Sequence, residues 1–184
     1  EELKQASNGT ATSKGLRCPL CGKSTPISIL RGDRTINGNT IFGLRKWDTS
    51  EFDFKESDIF QEILYAIKYE TKDGKRYYRS PNNRDLANES KIKEIVTEGI
   101  SEWQEKGLIP SMTIENGYNT DQLIRERGWS CWSHLFNARQ LLIQELFAST
   151  IEAKAKCQKD IAIGVMGLNK ICDYNSRLSS WNGS

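Results

Sequence analysis

Histidine occurs once in this 184-residue sequence, and no apolar run approaches the roughly 18 residues that a membrane-spanning helix needs. A histidine base therefore has a single candidate, His134. A charged-then-apolar leader is also missing, so the expectation is a soluble, cytoplasmic protein with no membrane contact. Net charge is small: 26 basic residues stand against 24 acidic ones. At that balance the whole molecule is not attracted to a polyanion, and any contact with nucleic acid must be local. There is no glycine-rich loop after a strand, no P-loop, no HExxH and no clustered carboxylate and histidine. No self-sufficient active site is visible. The five cysteines, at 18, 21, 131, 157 and 172, are odd in number and irregular in spacing. That pattern fits neither a disulfide scaffold nor an oxidising compartment.

What is present is enough for one domain of ordinary size or two small ones. Residues 1–36 carry six basic and three acidic groups, residues 37–120 twelve and fifteen, and residues 121–184 eight and six. The ends are mildly basic and the middle acidic. The polar opening from Gln5 to Gly15 reads as a frayed arm. From Thr25 to Ser80, Ile27, Ile29, Ile41, Phe42 and Leu44 fall in short strand-like runs broken by Gly32, Asn37-Gly38 and Gly43. Between Glu62 and Arg79, alternating Ile63, Tyr65, Ile67 and Tyr69, the Asp73-Gly74 turn and the returning Tyr77-Tyr78 predict a β-hairpin. The stretch between Trp47 and Phe60 shows no period.

After Pro81 the spacing becomes helical. Leu86, Ile92, Ile95, Val96, Ile100 and Trp103 recur behind a cap at Asn82 or Asn83, and Gly107 with Pro110 closes the run. A short helix after Thr120 stops at Gly128. Asn137 and Gln140 form a capping-box variant, with Phe136 packing on Leu141, so a long helix is expected to start there. Its expected apolar stripe is Leu142, Ile143, Leu146, Phe147, Thr150 and Ile151. A last helix from about Asp160 is expected to bury Ile161, Val165, Leu168, Ile171 and Cys172. Gly164 and Gly167 each cost about 1 kcal/mol inside a helix unless close backbone packing offsets it. The fold class is α+β: a β-rich region 1–80 with half of a zinc ribbon, then a helical region 81–184.

Cys18-Pro-Leu-Cys21-Gly is a zinc-knuckle sequence, in which two thiolates three positions apart face one metal. A tetrahedral site needs four donors, and the sequence offers no second knuckle. A reduced structural pair and a redox pair are the alternatives. Arg139 is unusual because the helix macrodipole opposes a cation in the first turn. It suits an anion at the helix N-terminus, or a salt bridge to an acid such as Glu145 or Asp173. Asp173, Asn175 and Arg177 cluster at the end of the last helix, either as a binding edge or as groups satisfying local backbone. Trp129, Trp132 and His134 read as an aromatic staple under the following helix in preference to a stacking platform.

Taken together, four stretches resemble one family, the adenine-specific DNA methylases that contain a zinc ribbon. They are Arg17-Cys-Pro-Leu-Cys-Gly-Lys-Ser-Thr-Pro26, Gly74-Lys-Arg-Tyr-Tyr-Arg79, Arg127-Gly-Trp129 with Leu135-Phe-Asn-Ala-Arg-Gln-Leu-Leu142, and Asp173-Tyr-Asn-Ser176 with Trp181. The knuckle alone is common, whereas its order with the later segments is fairly specific. In that family these segments lie between the motif that binds S-adenosylmethionine and the Asp-Pro-Pro-Tyr motif that holds the target adenine. Neither motif is in this sequence, and the family's earlier cysteine pair is missing too. The resemblance therefore implies a non-catalytic internal fragment of a methyltransferase of restriction-modification or phage defence, with the remaining methyltransferase domains as partners. It implies DNA near Arg139 and Gln140, with Arg177 as a second cation. Zinc is implied at Cys18 and Cys21, although a fragment without the first knuckle need not hold it. S-adenosylmethionine is implied only for the full-length protein. An isolated fragment is expected to dimerise through a face its parent would cover. The other reading is a freestanding zinc-ribbon adaptor that binds nucleic acid or protein.

Overall fold

The computed structural model describes residues 10–12 and 15–179, so most of the polar opening and Trp181 lie outside the described residues. The chain is α+β, with small antiparallel sheets in the N-terminal half and helices in the C-terminal half. Strands β1 (Ala11–Thr12), β2 (Gly15–Arg17) and β3 (Ser24–Thr25) pair in that order, and the cysteine knuckle is the turn between β2 and β3. The next residues depart from expectation. Ile27 and Ile29 belong to a short helix, α1 (Ile27–Arg31), and not to a strand. The Pro26 carbonyl accepts from Ile29 N and Leu30 N at 3.1 and 3.2 Å, and Gly32 at φ 77° closes the turn. Proline before the segment and glycine after it outweigh the weak alternation.

Strands β4 (Arg34–Ile36) and β5 (Asn39–Ile41) form a hairpin across Asn37-Gly38, both at positive φ, which is the turn that matches strand twist. A second hairpin pairs β6 (Ile67–Glu70) with β7 (Arg76–Arg79), with Tyr69 opposite Tyr77. Pairing begins at Ile67, later than the alternation suggests. Ile63 and Tyr65 precede it and are 79 % and 82 % exposed.

Helix α2 (Asn83–Glu105) starts at a capping box: Asn82 Oδ1 accepts from Arg84 N and Asp85 N, and Asp85 Oδ2 accepts from Asn82 N. Helix α3 (Asp121–Arg127) ends at Gly128 in the left-handed region. Helix α4 (Ala138–Lys154) starts where the capping pair predicts, with Asn137 N donating to Gln140 Oε1 at 2.8 Å and Gln140 N to Asn137 Oδ1 at 3.1 Å. Helix α5 (Gln158–Tyr174) follows. The core cluster is Phe52, Val96, Ile100, Ile109, Phe136, Ala138 and Leu141.

The buried face of α4 is rotated from the expected one. Ala138, Leu141 and Gln144 are buried, while Ile143, Leu146 and Phe147 are about half exposed. No α5 residue is fully buried, and Ile161 and Val165 are exposed. The residue before the cap accounts for the rotation: Phe136 enters the same core cluster as Leu141, and this staple turns the Ala138 and Leu141 side of α4 inward.

By compactness the chain forms two units: the described part of Glu1–Lys46 with Asn116–Gly128, and Trp47–Glu115 with Trp129–Ser184. The regions 1–80 and 81–184 are drawn instead by type of element, so the two divisions do not coincide. No helix among the described residues is long and apolar enough to cross a membrane.

Candidate functional site

The most closely determined side chain in the second unit is Arg177, whose own side chain is 5 % exposed. All five N–H donors are used. Nε and Nη2 donate to the two carboxylate oxygens of Glu62 at 2.6 and 3.0 Å, the bidentate geometry that a planar guanidinium favours. Nη1 donates to the carbonyls of His134 and Phe136 at 2.7 and 2.5 Å, and Nη2 also reaches the Phe52 carbonyl at 2.8 Å. The guanidinium lies 5.5 to 5.9 Å from the ring centroids of Trp47, Trp129 and Phe54. Arg177 N bonds Leu135 O at 2.7 Å, so the backbone is fixed as well. The family resemblance implies Arg177 as a second cation for DNA. In this geometry its donors are occupied by carbonyls and a carboxylate of its own unit, and it offers no open guanidinium edge.

His134 is part of the same node. It is completely buried, its Nδ1 accepts from Ser130 N at 3.0 Å and Cys131 N at 3.2 Å, and its Nε2 lies 2.9 Å from the Asp48 carbonyl. Two backbone donors on Nδ1 place the proton on Nε2, which then donates to Asp48. With both nitrogens committed and no solvent access, the imidazole is a structural bracket. Trp129 is buried and Trp47 packs edge-on to Phe54 and Trp129, so these aromatics fill the space before α4, as a staple does. Trp132 is half-buried in the 3-10 turn Trp132–Leu135.

Beside this node a cleft of about 500 Å³ opens between the segment around Glu62–Ala66, the first turns of α2 and the start of α4. Its charged and capping wall residues are Asp53, Glu62, Glu89, Lys93, Asn137 and Arg139. Arg139 is 40 % exposed, and its Nε is 3.3 Å from Glu89 Oε1. The acid it meets is on α2 and is neither Glu145 nor Asp173. Lys93 pairs with Asp53, and Glu62 with Arg177. Each acid of the wall thus answers a cation, and Arg139 is the cation at the helix N-terminus. Gln140 is occupied in the capping box, its side-chain oxygen on Asn137 N.

In the first unit the knuckle has the backbone of a thiolate site. Cys18 N donates to Lys23 O at 2.8 Å, Gly22 N to Cys18 O at 2.9 Å, and Gly22 sits at φ 71°. Backbone N–H groups of Cys21 and Leu20, with the Cys21 side chain, point at the Cys18 sulfur and hold its thiol below the ordinary cysteine range. Both cysteines are free, and Cys21 is exposed. The donor set suits two corners of a zinc tetrahedron. Among the described residues no group of three or more histidines, cysteines or carboxylates could close the shell, so those two thiols fit half a site.

Glu62, Glu89, Asp53, Trp47 and Phe52 carry this geometry and had no local signal in the sequence. Arg177 meets Glu62 across 115 positions and Phe52 across 125. Comparisons with protein-family models, with curated proteins and with solved structures return no match to this chain.

Proposed function

We propose that the chain is a non-catalytic internal region of an S-adenosylmethionine-dependent, adenine-specific DNA methyltransferase of the cytoplasm, contributing DNA recognition and packing to that enzyme. The observation that carries the reading is Arg139. It is a half-exposed cation in the first turn of a 17-residue helix, on the rim of a cleft, and its ion pair with Glu89 is long at 3.3 Å. A helix N-terminus and a guanidinium both favour an anion, and a DNA phosphate supplies one. Exchange of Glu89 for phosphate keeps the guanidinium paired throughout. Gln140 serves by fixing the cap and therefore the direction of that helix end, and Arg177 by holding the cleft wall at Glu62. The sole histidine is committed to the fold and is not available as a base. When bound, S-adenosylmethionine supplies the methyl group from domains beyond these residues.

The test is Arg139→Ala in the full methyltransferase. DNA affinity is expected to fall and methylation at limiting DNA to fall with it, while unchanged affinity and methylation end the assignment. A second reading, a freestanding zinc-ribbon adaptor, uses the same knuckle with its lowered Cys18 thiol. It predicts no cofactor motif and no Asp-Pro-Pro-Tyr motif in the adjoining gene sequence.

A further inference from the structure

Basic charge in the acidic middle of the chain is concentrated in one element. Residues 67–79 hold Lys68, Lys72, Lys75, Arg76 and Arg79 against Glu70 and Asp73, whereas residues 37–120 as a whole are net acidic. Both acids are paired inside the hairpin, Glu70 with Arg76 at 3.0 Å and Asp73 with Lys75 at 3.2 Å, and by composition the segment carries a net charge of +3. Every residue of β7 is exposed, Tyr77 and Tyr78 by 46 % and 56 %. The tip is fixed: Thr71 N bonds Lys75 O and Gly74 N bonds Thr71 O, both at 2.9 Å, with Gly74 at φ 80°. One face carries the stacked Tyr69–Tyr77 pair, 5.3 Å between centroids, with the Arg79 guanidinium 5.2 Å from the Tyr69 ring. The other face carries Arg76, Tyr78 and, directly opposite Tyr78, Lys68.

We propose that the β6–β7 hairpin is a duplex-DNA contact ribbon, separate from the Arg139 cleft and resting on the DNA-binding reading above. A two-stranded ribbon is of a width that the major groove admits, about 12 Å. The lysines and arginines face phosphates, and the tyrosine hydroxyls extend the phosphate and sugar contacts. Duplex is favoured over single strand by the rings themselves. A single-strand binder presents successive open ring faces for bases; here Tyr69 and Tyr77 stack on one another, Arg79 sits over Tyr69, and Tyr78 is the one tyrosine of the hairpin on the opposite face, so no series of ring faces is presented.

The experiment uses the 184-residue chain, a short fluorescent DNA duplex of mixed sequence and a salt series read by anisotropy. Lys72→Ala/Lys75→Ala/Arg79→Ala is expected to weaken binding by about tenfold or more and to reduce the slope of log affinity on log salt by about 2 to 3. Lys154→Ala/Lys156→Ala/Lys159→Ala, which removes the same charge from another surface, is expected to change neither. Equal losses from both triples overturn the proposal, because only net charge then matters. Duplex binding that survives the hairpin triple but falls with Arg139→Ala overturns the ribbon and leaves the DNA reading standing. No duplex binding by the wild-type chain overturns the ribbon, while the DNA reading stands or falls separately on Arg139→Ala in the full methyltransferase. Tighter binding of a single strand than of the duplex overturns the choice of partner. Circular dichroism checks the fold of the triple. Should the triple not fold, the single Lys72→Glu exchange at the exposed tip tests the same contact, with weaker duplex binding expected and unchanged binding overturning the ribbon.

Discussion

Every buried hydrophobic side chain found among the described residues lies in the unit built from Trp47–Glu115 and Trp129–Ser184, and none lies in the unit that holds the knuckle. The two are held by different forces. In the first unit, backbone bonds of the knuckle, the Asn37-Gly38 turn and the Arg31–Asp33 pair fix the chain locally. In the second, an apolar cluster closes against helices, and a buried arginine joins four segments distant in sequence. Turns and short-range pairs fix the chain locally, while burial of apolar surface contributes most of the free energy that holds distant segments together. A small unit without its own core commonly depends on a metal, a staple or a neighbour. That is the physical setting in which two cysteines on a tight turn gain importance.

The largest effect expected on this contrast comes from Arg177→Ala. It strands the Glu62 carboxylate and three carbonyls, and removing one partner of a buried pair costs about 3–5 kcal/mol. Glu62 is 39 % exposed, so water recovers part of its share and the lower end of that range is expected. Urea unfolding followed by tryptophan emission measures it, since Trp47 and Trp129 pack under the guanidinium. Arg177→Lys is expected to rescue little, because an ammonium cannot make the bidentate pair and reach the carbonyls together. A stability loss under about 1 kcal/mol, the scale of an exposed pair, would mean that the node is decorative.

The matching probe in the first unit is Asp33→Ala. Asp33 is 5 % exposed and accepts from Arg31 Nε and Nη2 at 3.0 and 2.8 Å and from Gly43 N at 3.0 Å. The cost is about 1–3 kcal/mol, felt locally. Amide exchange is expected to quicken at Gly43 and along β4 and β5 while Val96 and Leu141 keep their protection. Loss of protection at Leu141 would show that the two regions do not differ as described.

How much of this was legible in the sequence follows the same division between local and distant. The Asn137–Gln140 box, the Asn82 cap, the Gly128 stop and the Asp73-Gly74 turn were readable because each is settled among residues a few positions apart. The stretch 47–60 has no period because its backbone forms no regular element, yet it supplies Trp47 and Phe52 to the core and the Asp48 carbonyl to His134. Arg177 was visible as a cation, but nothing near it announces Glu62. The Arg139 position was readable as an anomaly of the helix dipole, and its partner Glu89 was not, because which α2 residue faces α4 is set by packing.

A finer test sits on α5, where two glycines three positions apart are expected to respond with opposite sign. A methyl group built at Gly164 lies 2.7 Å from Ile151 Cγ1, and one at Gly167 meets nothing within 4 Å. Gly167→Ala is therefore expected to raise stability by about 0.5–1 kcal/mol through helix propensity alone. For Gly164→Ala, displacement of Ile151 cancels or reverses that gain. Thermal melts of the two variants decide it, and equal shifts would show that α4 and α5 pack more loosely than the glycine contact implies.

The smallest effect is chemical and reports on the turn-held unit directly. Donors aimed at the Cys18 sulfur stabilise its thiolate, whereas burial opposes the charged form of Cys172 and raises its pKa. A lowered pKa means that the reactive thiolate is already present at a pH where an ordinary cysteine is mostly protonated. Iodoacetamide labelling read by mass spectrometry across a pH series is therefore expected to modify Cys18 with a midpoint below that of Cys172. Gly22→Val changes the sign of the argument: a β-branched residue at φ 71° is strained, and the turn must open to relieve it. Opening withdraws the Leu20 and Cys21 amides, so the Cys18 midpoint is expected to rise toward that of an ordinary thiol. A midpoint that stays where it was would mean that the amides do not tune the sulfur, and the knuckle would then be an ordinary turn that happens to carry two cysteines.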